Sequence, residues 1–430
     1  MESRFHTGRR LARLVAERTG RPELGHDADV VARVLPFKVS AHVADVLVDW
    51  ARAPDDPLYR LVMPHRDMLS PADFAAVEAA LPDEERLRRV VTGIRERLAP
   101  PPEDPPGGED GQGLEHVYPD TLLVLPRQGQ TCHSHCGYCF RWPQFTGEPG
   151  GRRAVHGPGA MCAHLDRHPA VTDVLLTGGD PLVMRADVLA DYLAPLTGRR
   201  HGHVRTVRIG TKAVSFEPER FLTAPDADDL LRLLDGVVRS GRHLALMLHV
   251  THPRELEPGP ARRALRRLHA TGAVLRTQAP VVRHVNDDPA VWARMWQEQV
   301  ELGLVPYDMF VARDAGPRRY YGLPLVRALG VYTEACRRVS GLARTARGPV
   351  MATGLGKLVV DGIARLPDGP AFALRALRTR DPELTGTLAH ARFDPTARWW
   401  SDLVPYGEHD RCLIPDHGAG AVIPDHGPGP

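Results

Sequence analysis

Short apolar runs rich in β-branched residues alternate with amphipathic stretches between residues 118 and 312. The apolar runs are TLLVLP, VTDVLLTGG, VRTVRIGT, HLALMLHV, VLRTQAPVV and VPYDMFVA. The stretches between them, such as RADVLADYLAPL and ARRALRRLHATG, have the spacing of apolar residues that is typical of helices. Strands that alternate with helices indicate parallel βαβ units. The pattern therefore predicts the α/β class, with six strands in a partial (β/α)6 TIM-like barrel.

The regions on either side of the predicted barrel have other patterns. The N-terminal region is helical in pattern; for example, SPADFAAVEAAL has Ser70 as an N-cap, Pro71 at the first helical position and Asp73 in a capping box. A stretch rich in proline, glycine and acidic residues, PPPEDPPGGEDGQG, has the composition of a linker. The predicted regions of the chain are therefore an N-terminal helical region (1–99), a linker (100–114), a barrel core (115–360), a C-terminal extension (361–408) and a tail (409–430).

Residues 385–408 contain few strand-like runs, and the tail repeats IPDHG. We expect the tail to be disordered, because it has too few apolar residues to form a core. An alternative is that the tail binds a metal through side chains of suitable chemistry, which are His409, Cys412, His417 and His426.

Composition restricts the classes of partner. Hydrophobic residues make up 43% of the 430 residues and charged residues 25%, as in ordinary globular proteins. The net charge is +2 and the basic residues are scattered, which argues against nucleic acid as a partner. No apolar run approaches the roughly 20 residues that a membrane helix needs, and the N-terminal segment lacks the apolar core of a secretion signal. We therefore expect a cytoplasmic protein, outside membranes, that acts on a small molecule.

Residues with candidate chemistry follow the predicted strands. In barrels of this type, ligands bind at the C-terminal ends of the strands. A cysteine-rich segment follows the first strand, TGGDP ends the second, GTK ends the third and HVTHP ends the fourth. We expect these segments to lie on one rim of the barrel.

The cysteine-rich segment has the spacing C-x3-C-x2-C, with Cys132, Cys136 and Cys139. Structural zinc needs four ligands and usually takes them from two cysteine pairs. The sequence has no second pair, although His133 or His135 could supply a fourth ligand. A four-iron cluster held by three thiolates leaves one iron open, and the amino and carboxylate groups of S-adenosylmethionine can fill that position.

This segment resembles the cluster motif of the radical S-adenosylmethionine superfamily, and further segments resemble its lysine 2,3-aminomutase branch. The segments occur in that branch's order over about residues 115 to 360: YPD at 118–120, TGGDPL at 177–182, RIGTK at 208–212, HVTHP at 249–253, NDDP at 286–289 and GPVMATGLGK at 348–357.

The resemblance implies a [4Fe-4S] cluster on the three cysteines, S-adenosylmethionine as its ligand, and an electron donor such as flavodoxin or ferredoxin. In the superfamily, an electron from the cluster cleaves S-adenosylmethionine and the resulting radical abstracts hydrogen from the substrate. The TGGDPL segment would hold the methionine part, because Gly178 and Gly179 let the backbone approach a ligand and Asp180 can accept from an ammonium group. The resemblance also suggests a homo-oligomer whose N-terminal regions exchange between protomers.

Lys357, which ends TGLGK, is where the family binds pyridoxal phosphate covalently. Lysine is rare in this chain, since only Lys38, Lys212 and Lys357 occur among 55 basic residues. A lysine amine is a suitable nucleophile for a carbonyl, and the alternative is a lysine in a surface turn. Arg141 stands where the family holds the substrate carboxylate, which a guanidinium matches with two hydrogen bonds. The alternative for Arg141 is that it caps a helix end or pairs with a nearby acidic residue.

Departures from the family concern the substrate and the phosphate. The family grips the side-chain ammonium of lysine with two aspartates, but this chain has Arg313 and Val350 at those positions, with Asp314 next to Arg313. An acidic, neutral or unusual substrate side chain is therefore expected, and Arg313 could bind a second carboxylate. The family's phosphate-binding arginines beside YPD are replaced by Val117 and Thr121, so a bound phosphate must find other donors.

Three hypotheses for function follow. The first is a pyridoxal phosphate-dependent isomerase of the amino-acid 2,3-aminomutase type, which moves an amino group to the adjacent carbon of an amino-acid-like substrate. The second is a radical S-adenosylmethionine enzyme without pyridoxal phosphate: a dehydratase, an epimerase or a maturase. The third is a non-catalytic iron–sulfur or zinc protein.

Overall fold

A computed structural model describes residues 5–99, 113–147 and 153–414. Its strands are β1 Phe5–Thr7, β2 Lys38–Ser40, β3 Leu114–Tyr118, β4 Thr121–Val124, β5 Asp173–Leu176, β6 Thr206–Thr211, β7 His243–His249, β8 Val274–Val281, β9 Val305–Val311, β10 Arg347–Ala352, β11 Gly356–Leu366, β12 Gly369–Thr379 and β13 Leu388–Arg392. Its α-helices are α1 Gly8–Thr19, α2 Pro22–Val34, α3 Pro57–Val62, α4 Pro71–Ala80, α5 Glu84–Leu98, α6 Pro158–Arg167, α7 Ala186–Thr197, α8 Ala213–Phe216, α9 Ala227–Arg239, α10 Gly259–His269, α11 Pro289–Glu301, α12 Arg318–Tyr321 and α13 Leu325–Arg337.

The main sheet follows chain order. Within the described residues it runs β13-β12-β11-β10-β9-β8-β7-β6-β5-β4-β3. Each strand from β4 to β9 is parallel to the next, so that β4 to β10 form the parallel part of the sheet. The six strands expected from the apolar runs are β4 to β9, with helices between most of them. The predicted fold class, a partial (β/α)6 barrel, is confirmed.

The pleat of the parallel strands separates an apolar face from a polar one. Apolar residues such as Leu122, Val207 and Met309 pack against the helices in a continuous core. Because side chains alternate along a strand, intervening residues such as Gln278 and Asp308 face the concave side of the sheet. We call this concave, partly polar side the lumen, and it contains Arg208, His249, Gln278, Asp308 and Phe310.

The N-terminal region forms its own core and covers part of the barrel rim. Helices α1 to α5 contribute most of a second apolar cluster, which also includes Tyr320 and Tyr321 from the barrel. The predicted cap of α4 is confirmed, since the Asp73 amide donates to the Ser70 hydroxyl at 3.1 Å. The short β1–β2 pair was not expected from the helical pattern. This region therefore contacts the barrel as a packed cap.

The C-terminal part departs from the expected boundaries. No break occurs at residue 360, because β11 continues to Leu366 and pairs antiparallel with β12. The extension was expected to be poor in strands, yet β13 adds a further strand to the sheet. Disorder was expected from residue 409, but Glu408–Cys412 forms a 3₁₀ helix and Leu413 and Ile414 are buried.

Two of the expected segments fall largely or partly outside the described residues. These are the linker, apart from residues 113 and 114, and the tail from residue 415, with His417 and His426. Among the helices that the structure describes, none combines the length and apolar character needed to cross a membrane.

Candidate active site

The loop after β4 carries the three cysteines, and the N-terminal cap fixes its backbone. The His135 amide donates to the Lys38 carbonyl and the Gly137 amide donates to the Leu61 carbonyl, each at 2.8 Å. Gly137 packs so closely that a Cβ atom there would lie 2.2 Å from the Tyr321 hydroxyl. Any larger residue would displace the loop, so glycine is required between the second and third cysteines.

Burial controls the ionisation of the three cysteines. It raises the pKa of Cys136 to about 12, raises the pKa of Cys132 well above its usual value and raises the pKa of Cys139. Thiols are therefore favoured at neutral pH. Thiolates are the forms that bind metal, and a cationic metal centre supplies the charge that stabilises them.

Each cysteine also has one cationic side chain whose charge opposes the effect of burial. These cations are Lys38 for Cys132, Lys212 for Cys136 and Arg141 for Cys139. The sequence singled out Lys38 only for its rarity, and Lys212 for its rarity and its place in the GTK segment at the end of the third predicted strand. The structure brings both toward the cysteine loop, and Lys38 Nζ lies 3.4 Å from Thr131 Oγ1.

The spacing of the sulfur atoms argues against a single zinc ion. Two thiolates on one zinc ion are roughly 3.8 Å apart, given Zn–S bonds of about 2.3 Å. Among the described residues, one group of at least three possible metal ligands has all its ligand atoms within 4.8 Å of one another. The three cysteines do not belong to that group. The His135 ring stacks on Phe145 with centroids 4.4 Å apart, and its Nδ1 lies 3.3 Å from the Pro36 carbonyl oxygen.

The TGGDP turn packs directly on the cysteine loop. A Cβ atom on Gly179 would lie 2.4 Å from the Thr131 carbonyl oxygen, and Gly178 has a φ of +127°. The Asp180 amide donates to the same Thr131 carbonyl at 2.7 Å. The two glycines thus allow a loop-to-loop contact next to Cys132, and their predicted role toward S-adenosylmethionine stays a prediction.

Asp180 organises the rim through its buried carboxylate. Its Oδ2 accepts from Thr211 Oγ1 at 2.9 Å and from the Lys212 amide at 2.8 Å, while its Oδ1 accepts from the Leu182 amide at 2.9 Å. Burial raises the pKa of Asp180 despite these hydrogen bonds. The carboxylate therefore joins the ends of β5 and β6, and its predicted contact with an ammonium group is a further role that stays untested.

Lys212 joins the next two rim segments. Its Nζ lies 2.5 Å from Glu255 Oε2 and 3.1 Å from Thr251 Oγ1. The Tyr138 hydroxyl, inside the cysteine loop, lies 3.2 Å from the same Thr251 oxygen. The GTK and HVTHP segments and the cysteine loop therefore form one hydrogen-bonded network, as expected for strand ends on one rim.

Lys357 lies at the start of β11 and reaches into the lumen. Its Nζ is 2.6 Å from Asp308 Oδ2, and the rings of Tyr307 and Phe310 lie with centroids 5.4 and 5.1 Å from it. Arg347 Nε donates to the other oxygen of Asp308 at 2.8 Å. The alternative of a surface-turn lysine is wrong, because the Lys357 side chain is only 19% exposed. Asp308 was not predicted as a site residue, because it lies inside an apolar run.

The lumen around Lys357 favours negative charge. Burial raises the pKa of Tyr307, but Lys357 and Arg347 outweigh it, so that the pKa is lowered below the usual 10. A buried phenol with a lowered pKa indicates a positive potential, since cations favour the anionic form. This part of the lumen suits an anionic ligand.

Arg141 and Arg313 lie near the end of the cysteine loop. Arg141 forms an ion pair with Glu115 at 3.6 Å, and both side chains are largely buried. The structure therefore contains the ion pair that was an alternative interpretation of Arg141. Binding of the substrate carboxylate by Arg141 stays a prediction. Arg313 and Arg141 lie 4.3 and 5.1 Å from the ring centroid of Phe140. The two guanidinium groups thus share one aromatic side chain.

Comparison with known proteins identifies the family. A protein of Aquifex aeolicus (strain VF5), described as "Putative L-lysine 2,3-aminomutase", is 30% identical over 356 residues, which are 83% of this chain and 84% of the relative. The chain belongs to the lysine 2,3-aminomutase-like family of radical S-adenosylmethionine proteins. The "L-lysine 2,3-aminomutase" of Escherichia coli (strain K12) is 26% identical over 271 residues, 62% of this chain and 74% of that protein.

Other comparisons add little to this assignment. No family model matches the chain. A radical SAM methyltransferase from Sphaerobacter thermophilus aligns with 54% of this chain and 68% of its own at 15% identity, with a TM-score of 0.36. For this aminomutase-like protein, family membership implies a [4Fe-4S] cluster and S-adenosylmethionine as cofactors and radical isomerase chemistry.

Proposed function

We propose that this protein is an amino-acid 2,3-aminomutase-type isomerase that uses pyridoxal phosphate on Lys357 together with a [4Fe-4S] cluster on Cys132, Cys136 and Cys139. The observation that carries the proposal is the position of the Lys357 amine, between two aromatic rings in a cationic lumen. The barrel that contains Lys357 also carries the cysteine loop on its rim. Pyridoxal phosphate and the cluster would therefore act on a substrate in the same lumen.

The donor set fits the phosphate of the cofactor, although the family's arginines beside YPD are absent. Arg378 of β12 donates to Thr121 Oγ1 at 2.6 Å and forms an ion pair with Asp120. It lies 4.2 Å from the ring centroid of Tyr118, and its backbone is in register with Lys357. Arg378 therefore supplies a guanidinium beside Thr121, from a different part of the chain.

A second arginine strengthens this fit. Arg380 Nε is buried and has no hydrogen-bond partner among the described residues. Its charge, like those of Arg378 and Arg208, acts on the Tyr118 phenol. Buried donors are rarely left unpaired in folded proteins, so this nitrogen supports a bound anion at the gap between β4 and β12.

The cofactors supply the difficult chemistry: pyridoxal phosphate binds the substrate amine and stabilises unpaired electron density, and S-adenosylmethionine on the reduced cluster provides hydrogen abstraction. The chain positions these groups and manages protons. Lys357 must lose a proton to act as a nucleophile, and Asp308 Oδ2 accepts a hydrogen bond from its Nζ at 2.6 Å, which fixes the position of the amine. Tyr307 and Phe310 exclude water from the amine.

At the rim, the chain's own cations support the cluster. Lys38, Lys212 and Arg141 each act on one of the three cysteines. Hydrogen bonds and charges around a cluster tune its reduction potential. These three cations favour the more negative, reduced state, and an external donor such as flavodoxin or ferredoxin would supply the electron.

The residues around Phe140 support a substrate other than lysine. Arg313 replaces one ammonium-binding aspartate of the family and lies beside Arg141 at Phe140. Val350 replaces the other, and it is fully buried. A cation repels an ammonium group and an apolar side chain offers it no acceptor, whereas guanidinium groups bind carboxylates. An amino acid with an acidic or neutral side chain is the proposed substrate class.

The test is anaerobic turnover of cluster-loaded protein with S-adenosylmethionine, dithionite, pyridoxal phosphate and single amino acids. We expect 5′-deoxyadenosine and a β-amino acid from an acidic or neutral substrate, both measured by mass spectrometry. Conversion of lysine alone would contradict the substrate class. Formation of 5′-deoxyadenosine without any β-amino acid from the full panel would contradict the aminomutase assignment.

A second candidate is a radical enzyme without pyridoxal phosphate, and the Lys357–Asp308 ion pair favours it. A lysine held as a charged partner of a buried carboxylate has a structural role that needs no cofactor. Borohydride reduction in the presence of pyridoxal phosphate separates the two candidates. The first predicts a pyridoxyl group on the Lys357 peptide and none in Lys357→Arg, which keeps the charge opposite Asp308. Absence of the adduct from the wild-type protein would favour the second.

A further inference from the structure

Three histidines lie together on the outer part of the barrel, away from the lumen. His116 belongs to β3, His164 to the last turns of α6, and His168 follows that helix. Their ring centroids are separated by 4.2 to 5.1 Å. The two helix-derived histidines are four residues apart, which places them on one face of α6. This triple-histidine cluster has no part in the proposed reaction.

The geometry of the cluster matches that of metal ligands. One nitrogen from each ring can be chosen so that all three lie within 4.8 Å of one another. His116 Nδ1 lies 3.2 Å from His164 Nε2. Two imidazole nitrogens on one tetrahedral zinc ion are roughly 3.3 Å apart, given Zn–N bonds of about 2.0 Å. The pair already has the separation that a shared zinc ion imposes.

The second nitrogen of His116 fixes its tautomer. His116 Nε2 lies 3.3 Å from the Pro119 carbonyl oxygen, which can only accept a hydrogen bond. Nε2 therefore carries the proton and Nδ1 presents its lone pair toward His164. A ligating histidine whose other nitrogen donates to a backbone carbonyl is the usual arrangement at protein metal sites.

We propose that His116, His164 and His168 bind one divalent ion of the zinc class. Three neutral imidazoles are ligands that zinc favours over calcium or magnesium, and a water molecule can complete the tetrahedron. The ion ties β3 to the end of α6. The same strand carries Glu115, the partner of Arg141, and Tyr118, which lies under Arg378. The metal thereby fixes the strand that supports both ends of the active site.

The test measures zinc and iron together in the cluster-loaded protein. We expect one zinc ion per chain by mass spectrometry of the elements. X-ray absorption at the zinc edge should give nitrogen neighbours at about 2.0 Å and no sulfur at about 2.3 Å. His116→Ala and His168→Ala should each weaken zinc affinity, measured by competition with a chelator. The loss should exceed the roughly 10- to 100-fold that results when only a hydrogen-bond partner of a metal ligand is removed. Iron content should stay unchanged.

The variants avoid His164, which is only 3% exposed. The control is His203→Ala, since His203 also lies beside another histidine ring but outside the cluster; it should keep its zinc. As a second readout, added zinc should raise the melting temperature of the wild-type protein and of His203→Ala but not of His168→Ala. Zinc bound through sulfur, an unchanged, wild-type zinc affinity in His116→Ala or His168→Ala, or no zinc binding by the wild-type protein would each overturn the proposal.

Discussion

Lys357 and Asp308 form a buried ion pair across the sheet, with Nζ 2.6 Å from Oδ2 and no accessible surface on the Asp308 side chain. The two residues are 49 positions apart and lie on β9 and β11, with β10 between them. Arg347 binds the same carboxylate. One buried anion therefore holds two cations, and the lumen retains an excess of positive charge beside the lysine.

Loss of this anion should destabilise the fold. Asp308→Asn leaves Lys357 and Arg347 without a buried counter-charge, and removal of one partner of a buried pair costs about 3–5 kcal/mol. We expect a decrease of that size in the free energy of unfolding, measured with urea. The control is Asp361→Asn, which removes an exposed pair with Arg375 and should cost less than about 1 kcal/mol. Equal effects of the two changes would contradict the role of Asp308.

Arg378→Gln should weaken binding of pyridoxal phosphate. Hydrogen bonds to charged groups contribute about 1.5–3 kcal/mol, so we expect Kd to rise by roughly 10- to 100-fold. Absorbance titration of the cluster-free chain with pyridoxal phosphate measures this. Arg375→Gln, on the same strand but paired with Asp361, should leave Kd unchanged. An unaltered Kd in Arg378→Gln would place the phosphate elsewhere.

Gly179→Ala should impair cluster assembly. Its Cβ atom would lie 2.4 Å from the Thr131 carbonyl oxygen, next to Cys132. The backbone must shift, because a carbonyl oxygen has no freedom to rotate away. We expect a clear loss of iron and inorganic sulfide after anaerobic reconstitution. Gly236→Ala, in α9 with open space around it, should retain full loading and gain roughly 0.5–1 kcal/mol of stability. Normal loading of Gly179→Ala would show that the turn can move.

Stability should fall with acidification through the buried histidines. Burial lowers the pKa of His249 from 6.5 to about 4, with a further contribution from Lys212, and burial also lowers the pKa of His252 to about 4. These rings are neutral in the fold, whereas the unfolded chain takes up protons below about pH 6.5. Their contribution is thus complete above pH 6.5 and is lost as the pH falls toward 4.

Urea unfolding between pH 7.5 and 4.5 measures this dependence. His249→Gln should show a smaller loss of stability over that interval than the wild-type protein, because one neutral histidine no longer has to be protonated on unfolding. His243→Gln changes an exposed residue on the same strand, and its pH dependence should match that of the wild-type protein. An identical slope in His249→Gln and the wild-type protein would contradict the assignment.

Local patterns were sufficient for much of the barrel. All six apolar runs became strands β4 to β9, because each is short, apolar and bounded by turn residues. The strand ends carrying the cysteines, Asp180 and Lys212 meet on one rim for the same reason: parallel strands present their C-terminal ends together. The β11–β12 hairpin was missed, since GPVMATGLGK was interpreted only as a lysine loop and no strand was predicted in the residues that follow it.

The sequence by itself determined the chemistry of the individual segments: the cysteine spacing, the glycine pair and the rare lysines are covalent facts of the chain. Only the tertiary structure decided which charges meet. Asp308 and Lys357, Arg378 and Thr121, and His116 and His164 are each far apart along the chain. Electrostatic and hydrogen-bond energies depend on distances through space, and those distances are fixed only after the strands and helices have packed.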